Sequence, residues 1–131
     1  MRNYTFRLTP GQDLFNAIEM FVMEQNIEAG CVLSGVGSLT RLTLRFADQE
    51  RTHEETGHFE IVSVTGTVSI HGSHLHLSAA DEQGKTIGGH LVAGCLIYTT
   101  AEIVIAVFED VVYKRELAED SGYEELVVYT R

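Results

Sequence analysis

Ser73-His74-Leu75-His76-Leu77-Ser78-Ala79-Ala80-Asp81-Glu82-Gln83-Gly84-Lys85-Thr86-Ile87-Gly88-Gly89-His90-Leu91 decides the fold. Its first half alternates, with Leu75 and Leu77 on one side and His74, His76 and Ser78 on the other. That is the period of a strand with one buried face. Asp81 to Lys85 has turn composition, and Gly84 suits the left-handed position of a three-residue hairpin loop. With Glu82-Gln83-Gly84 as that loop, Asp81 pairs with Lys85, and counting back sets His76 opposite His90. Opposed residues of an antiparallel pair share a face. The stretch therefore predicts a hairpin that projects three imidazoles from its polar side. A one-residue slip, of the kind a bulge at Gly88-Gly89 would cause, sends His90 to the other face.

Three histidines are a recurrent zinc set. Zinc takes neutral imidazole nitrogen, and three protein ligands leave a fourth position for water or substrate. Asp81, Glu60 and Glu102 are the candidates to orient the rings or carry a proton. The same histidines also fit a solvated polar strand face. Other first-row ions also accept three imidazoles.

Outward from the hairpin the chain reads mostly as strand. Arg2 to Leu8 alternates, with Tyr4, Phe6 and Leu8 on one side. Asp13 is a helix cap, and Leu14, Ile18, Phe21 and Val22 form the apolar stripe of one amphipathic helix over residues 13–26. Cys31 to Leu33 and Thr40 to Phe46 read as strands separated by Ser34-Gly35-Val36-Gly37-Ser38. Asp48 to Gly57 reads as a polar loop. Phe59 to Ile70 reads as a strand bent or bulged at Gly66. Leu91 to Tyr98 and Ile103 to Phe108 are the most apolar segments, and the second has no polar face, as suits a central strand. A second short helix is predicted around Arg115 to Asp120, and a last strand over Leu126 to Tyr129. The class is α+β, one main helix on a mainly antiparallel sheet.

The chain has 131 residues, with 9 Lys and Arg against 19 Asp and Glu, for a formal net charge of −10. The length supports one domain over 1–131. A protein that grips nucleic acid directly needs a basic stripe, and the nine cationic residues are scattered. Arg41 and Arg45 share one strand face and are the candidates for contact with an anion. Met1 to Pro10 has no apolar core of the signal-peptide kind, and no uninterrupted apolar run reaches the ~20 residues that span a bilayer. Cys31 and Cys95 read as reduced, buried thiols, so the chain is expected in the cytoplasm and not in a membrane. Ser34-Gly35-Val36-Gly37 lacks the third glycine and the helix of a dinucleotide site. There is no Walker sequence, no Cys-x-x-Cys and no nucleophile elbow.

These residues resemble the plants-and-prokaryotes-conserved (PPC) domain family over nearly the whole chain. The resemblance starts at Leu8-Thr9-Pro10-Gly11-Gln12-Asp13-Leu14 and continues at Ser34-Gly35-Val36-Gly37-Ser38-Leu39. Gly57-His58-Phe59-Glu60-Ile61-Val62 is similar to the family's Gly-Arg-Phe-Glu-Ile-Leu signature, departing at His58. The most specific part runs from His74 to His76 and on through Gly88-Gly89-His90-Leu91-Val92-Ala93-Gly94, with Thr100-Ala101-Glu102-Ile103 after it. The resemblance implies a homotrimer in which His74, His76 and His90 hold a metal, zinc. It also implies a fold similar to that of acetolactate decarboxylase, which uses a three-histidine metal. The family commonly carries a DNA-binding label. In plant members, however, the domain sits beside a separate Arg-Gly-Arg-Pro hook, which this sequence lacks. Three functions are therefore in play: a DNA-associated protein acting through partners or a local basic patch, a zinc-dependent lyase or hydrolase acting on a small anionic or carbonyl substrate, and a sensor of metal or ligand without turnover.

Overall fold

A computed structural model describes residues 1–131. The elements follow in the order β1 (Arg2–Leu8), α1 (Leu14–Glu24), β2 (Gly30–Arg45), β3 (His53–Val68), β4 (His74–Ala80), β5 (Thr86–Leu91), β6 (Leu96–Val107), β7 (Val111–Leu117) and β8 (Glu124–Thr130). The class is α+β, one helix against a mainly antiparallel sheet, as the periodicities predict.

The helix forms where its cap and its stripe agree. One Asp13 carboxylate oxygen accepts from the Asn16 amide at 3.0 Å, and the other accepts from the Gly94 amide at 2.7 Å. The cap thus starts the helix and ties it to the segment before β6. Leu14, Ile18 and Val22 are buried. The helix stops at Glu24, and Asn26 takes a left-handed φ of 51°, a common exit.

Six strands form one sheet in the order β1-β6-β2-β3-β4-β5. β2 uses both edges along its length. One edge pairs with β3, while the other pairs with β6 and then, at Leu44↔Leu91 and Arg45↔His90, with β5. β2, β3, β4 and β5 therefore close a ring, and β6 and β1 extend from it. Leu39, Leu42, Leu44, Leu75, Leu77 and Leu91 fill the interior. All of the IVIAVF run but Phe108 lies in β6, the strand between β1 and β2, with Ile103, Ile105 and Ala106 fully buried.

Several expectations are corrected. Arg115 to Asp120 is not a second helix but the end of β7 and its turn. The β-branched and aromatic residues decide this: Val111-Val112-Tyr113 pairs with Val128, Tyr129 and Thr130, outweighing the helix formers that follow. Ser34 to Ser38 does not interrupt the chain. β2 runs through it and absorbs the mismatch as register shifts against β6. The polar loop is shorter than expected, because β3 starts at His53 and alternates less and more exposed residues from there. The apolar segment Leu91 to Tyr98 holds the end of β5, a break, and the start of β6. The bulge in β3 lies between Ile61 and Ser63, not at Gly66.

Gly66 has a different role. Its φ is +141°, and a Cβ there would stand 1.9 Å from the His74 carbonyl oxygen. Only glycine lets β3 approach β4 this closely. Gly84, at φ +81°, has nothing within 4 Å of the place a Cβ would occupy, so a side chain there meets only the backbone cost. Gly66→Ala should therefore lower stability by about 2–3 kcal/mol and Gly84→Ala by about 1 kcal/mol in urea denaturation. Equal losses would show that the close approach is not what requires Gly66.

Candidate metal centre

The β4–β5 hairpin sets the register of the site. The Asp81 amide donates to the Lys85 carbonyl at 2.9 Å, and the Gly84 amide donates to the Asp81 carbonyl at 2.9 Å. One Asp81 carboxylate oxygen accepts from the amides of both Gln83 and Lys85. The three-residue loop is as expected, and His76 faces His90 across the pair. Leu75, Leu77 and Leu91 point into the core and fix the backbone beneath the imidazoles.

Ring closure adds residues to either side. Arg45 pairs with His90, His90 with His76, and His76 with Thr65, so four strands contribute to one cross-strand row. His74 pairs with Thr67 beside it. One ligating nitrogen from each of His74, His76 and His90 lies within 4.8 Å of the other two. The ring centroids are 4.9 Å (His74–His76), 5.3 Å (His74–His90) and 5.9 Å (His76–His90) apart. His74 and His76 are exposed, and His90 is half-buried.

The electrostatics favour neutral rings. Desolvation, then the neighbouring His76 charge, holds His74 below the usual imidazole value. Desolvation, then Arg45, does the same for His90. Glu125 acts the other way on His74. A neutral imidazole keeps a lone pair for a metal.

His74 and His90 border a cavity of about 360 Å³ that Arg45, Ser73, Arg115 and Tyr123 also line, with Glu124 and Glu125 on its wall. Sequence reasoning missed Arg115, Tyr123, Glu124 and Glu125, which come from β7, β8 and the turn between them. The available signal was the Val-Val-Tyr at 111–113 and again at 127–129, which marks a hairpin in a tail with the look of solvated acidic surface.

The remaining expected residues lie apart from the triad. Arg41 is in an ion pair with Glu54 at 2.8 Å, while Arg45, four residues on, reaches the cavity. Glu60 and Asp81 line a separate recess of about 110 Å³ with His58, Phe59 and Tyr98. Glu102 is exposed on β6, between Arg7 of β1 and Val36 of β2. His58, the departure from the family signature, stacks on Tyr98 at 4.3 Å. The two thiols are free. Cys95 is buried against Thr43, and desolvation pushes its pKa up to about 11, whereas Cys31 is only half-buried.

The model for the Plants and Prokaryotes Conserved (PCC) domain matches residues 1–109. The chain belongs to this family. A bifunctional protein GlmU from Synechococcus sp. (strain JA-3-3Ab) is 48% identical over 126 residues, covering 96% of this chain and 20% of that protein. The chain thus spans about a fifth of the length of the curated relatives it matches first. A hypothetical protein from Salmonella cholerae-suis superposes with a TM-score of 0.97 at 40% identity, over 99% of this chain and 94% of that one. A protein from Archaeoglobus fulgidus, described as metal-containing, superposes with a TM-score of 0.81 at 25% identity, over 97% and 94%. A Staphylococcus aureus protein described as similar to alpha-acetolactate decarboxylase shares the fold, with a TM-score of 0.55 at 17% identity, over 81% and 52%.

The histidine environment sets a pH dependence. The folded chain takes up protons at His74 and His90 less readily than the unfolded chain, whose imidazoles titrate near 6.5. Their contribution to stability is therefore complete above pH 6.5 and lost as pH falls through the lowered values. The urea midpoint of metal-free protein should fall between about pH 7.5 and about pH 5.5, and fall less in a His74→Asn/His90→Asn variant. An equal fall in both proteins would place the acid sensitivity elsewhere.

Proposed function

We propose that this PPC-family chain is a cytoplasmic homotrimer that holds zinc on His74, His76 and His90 and offers it to a small anionic or carbonyl compound. The observation that carries this reading is the convergence of three imidazole nitrogens within 4.8 Å on one strand face beside an open cavity. The donor set fits the ion: three imidazoles, no competing lysine and a rigid apolar floor. The 25%-identical protein described as metal-containing supports the same reading. Bound there, zinc would supply Lewis acidity toward a carbonyl or carboxylate oxygen.

The chain's own groups divide the remaining work. β4 and β5 orient the rings, and Arg45 adds positive charge beside His90. Glu125 lines the cavity with His74 and would be the carboxylate to take or return a proton there. A lyase or hydrolase and a ligand sensor would share this arrangement, and turnover of a bound compound separates them. Exposed Leu33 and Val36 on β2 and Val62 on β3 provide apolar surface for packing between protomers.

Protein prepared without a histidine tag should carry about one zinc per chain by elemental analysis, and chelation should lower its melting temperature. His76→Ala should lose the metal while keeping the fold. Metal-free protein that gains nothing from added zinc would overturn the reading.

Direct duplex contact is not supported by the charge. Arg2, Arg41 and Arg131 are in ion pairs with Glu109, Glu54 and Glu28 in an acidic chain. Fluorescence anisotropy with duplex DNA at about 50 mM salt should show no binding. Binding that weakens steeply with added salt would restore the DNA reading.

A further inference from the structure

Two arginines of this acidic chain face the metal centre without a carboxylate partner. The ion pairs of arginine join Arg2 to Glu109, Arg41 to Glu54 and Arg131 to Glu28. Arg45 and Arg115 take part in none of them, yet both line the cavity beside His74 and His90. Glu124 and Glu125 line the same cavity and form no ion pair with either.

The two guanidiniums are held differently. Arg45 sits on β2 directly opposite His90. Arg115 comes from β7, and one of its N–H groups donates to the Thr67 hydroxyl at 2.9 Å. Its stem lies over Gly72, where a Cβ would stand 2.9 Å from the Arg115 Cγ. That contact and the hydrogen bond orient the fork, and four of its five N–H donors have no protein partner. The hairpin carrying it is anchored at its base. The Tyr113 amide donates to the Glu28 carbonyl at 2.8 Å, and the Ser69 hydroxyl stands 3.0 Å from the carbonyl oxygens of both Glu28 and Tyr113. The family match ends at residue 109, so this arginine lies on chain beyond it.

We infer that Arg45 and Arg115 form a carboxylate-binding pair next to the histidine centre, selecting small organic acids with a second oxygen group that reaches the metal. This rests on the metal reading above. A guanidinium fork matches the two coplanar oxygens of a carboxylate. A cavity of about 360 Å³ suits a small molecule. Phosphate is disfavoured, because phosphate sites typically add a cradle of backbone amides or a helix N-terminus. The one helix here begins at Leu14, and no residue of it lines the cavity.

The test loads the full chain with cobalt, whose visible spectrum reports the centre, and titrates malonate, acetate and inorganic phosphate. Malonate should shift the spectrum and bind tighter than either of the others. Arg45→Gln and Arg115→Gln should each weaken malonate about tenfold or more, while cobalt still binds at least as tightly and gives the same malonate-free spectrum. Arg41→Gln, at the arginine paired with Glu54, should change nothing. Tighter phosphate than malonate, or malonate affinity indifferent to both substitutions, overturns the inference and leaves the metal reading standing. Failure of cobalt to bind overturns the metal reading and the inference with it. The Arg45 side chain makes no hydrogen bond or ion pair with the protein, so its variant keeps the test decisive if loss of Arg115 disturbs the hairpin.

Discussion

The double pairing of β2 is the constraint on which the rest depends. A strand of 16 residues holds β3 along one edge and β6, then β5, along the other. Only two residues, Leu44 and Arg45, make the contact with β5, but they close the ring. Without that closure β4 and β5 would be a two-stranded flap at the sheet edge, and three imidazoles on a flap do not hold a fixed spacing. With it, Leu44 and Leu91 are buried beneath while Arg45 and His90 stand above. The same pairing that completes the core therefore arranges the site.

Legibility follows the range of the interactions involved. The β4–β5 hairpin is readable because its register depends on one loop, and Asp81 and Gly84 are the residue types that loop demands. The helix is readable because Asp13 and the Leu14, Ile18, Val22 spacing are local signals. The continuity of β2 is not, because Ser34 to Ser38 has weak strand propensity and is held in place by β3 and β6 on both sides. The β7–β8 hairpin is obscured by acidic residues, which suggest a solvated surface whatever the backbone beneath them does. Spacing on one strand offers Arg41 and Arg45 together as candidate anion contacts. Such spacing does not show that Glu54 neutralises one of the two. The carboxylates expected beside the rings lie elsewhere: Asp81 is used in capping its own loop, and the places of Glu60 and Glu102 depend on pairings between strands that local pattern does not report.

Charge is distributed unevenly. The chain as a whole carries −10, and a field of that sign repels polyanions and draws in cations. Around the histidines the balance is locally even, since two guanidiniums share a wall with two carboxylates, and a bound dication would turn it positive. With a dication bound, an acidic exterior would disfavour nucleic acid while the recess still admitted a small anion that fits.

The strands β7 and β8 pair only with each other, as a two-stranded sheet of their own. No ladder of the six-stranded sheet runs through them, so their sequence can drift, lengthen or shorten without breaking the scaffold that spaces the imidazoles. The framework and the arm are in this sense separately replaceable. Relatives could keep one inorganic centre and exchange what it meets, which would let a single fold serve unrelated ligands.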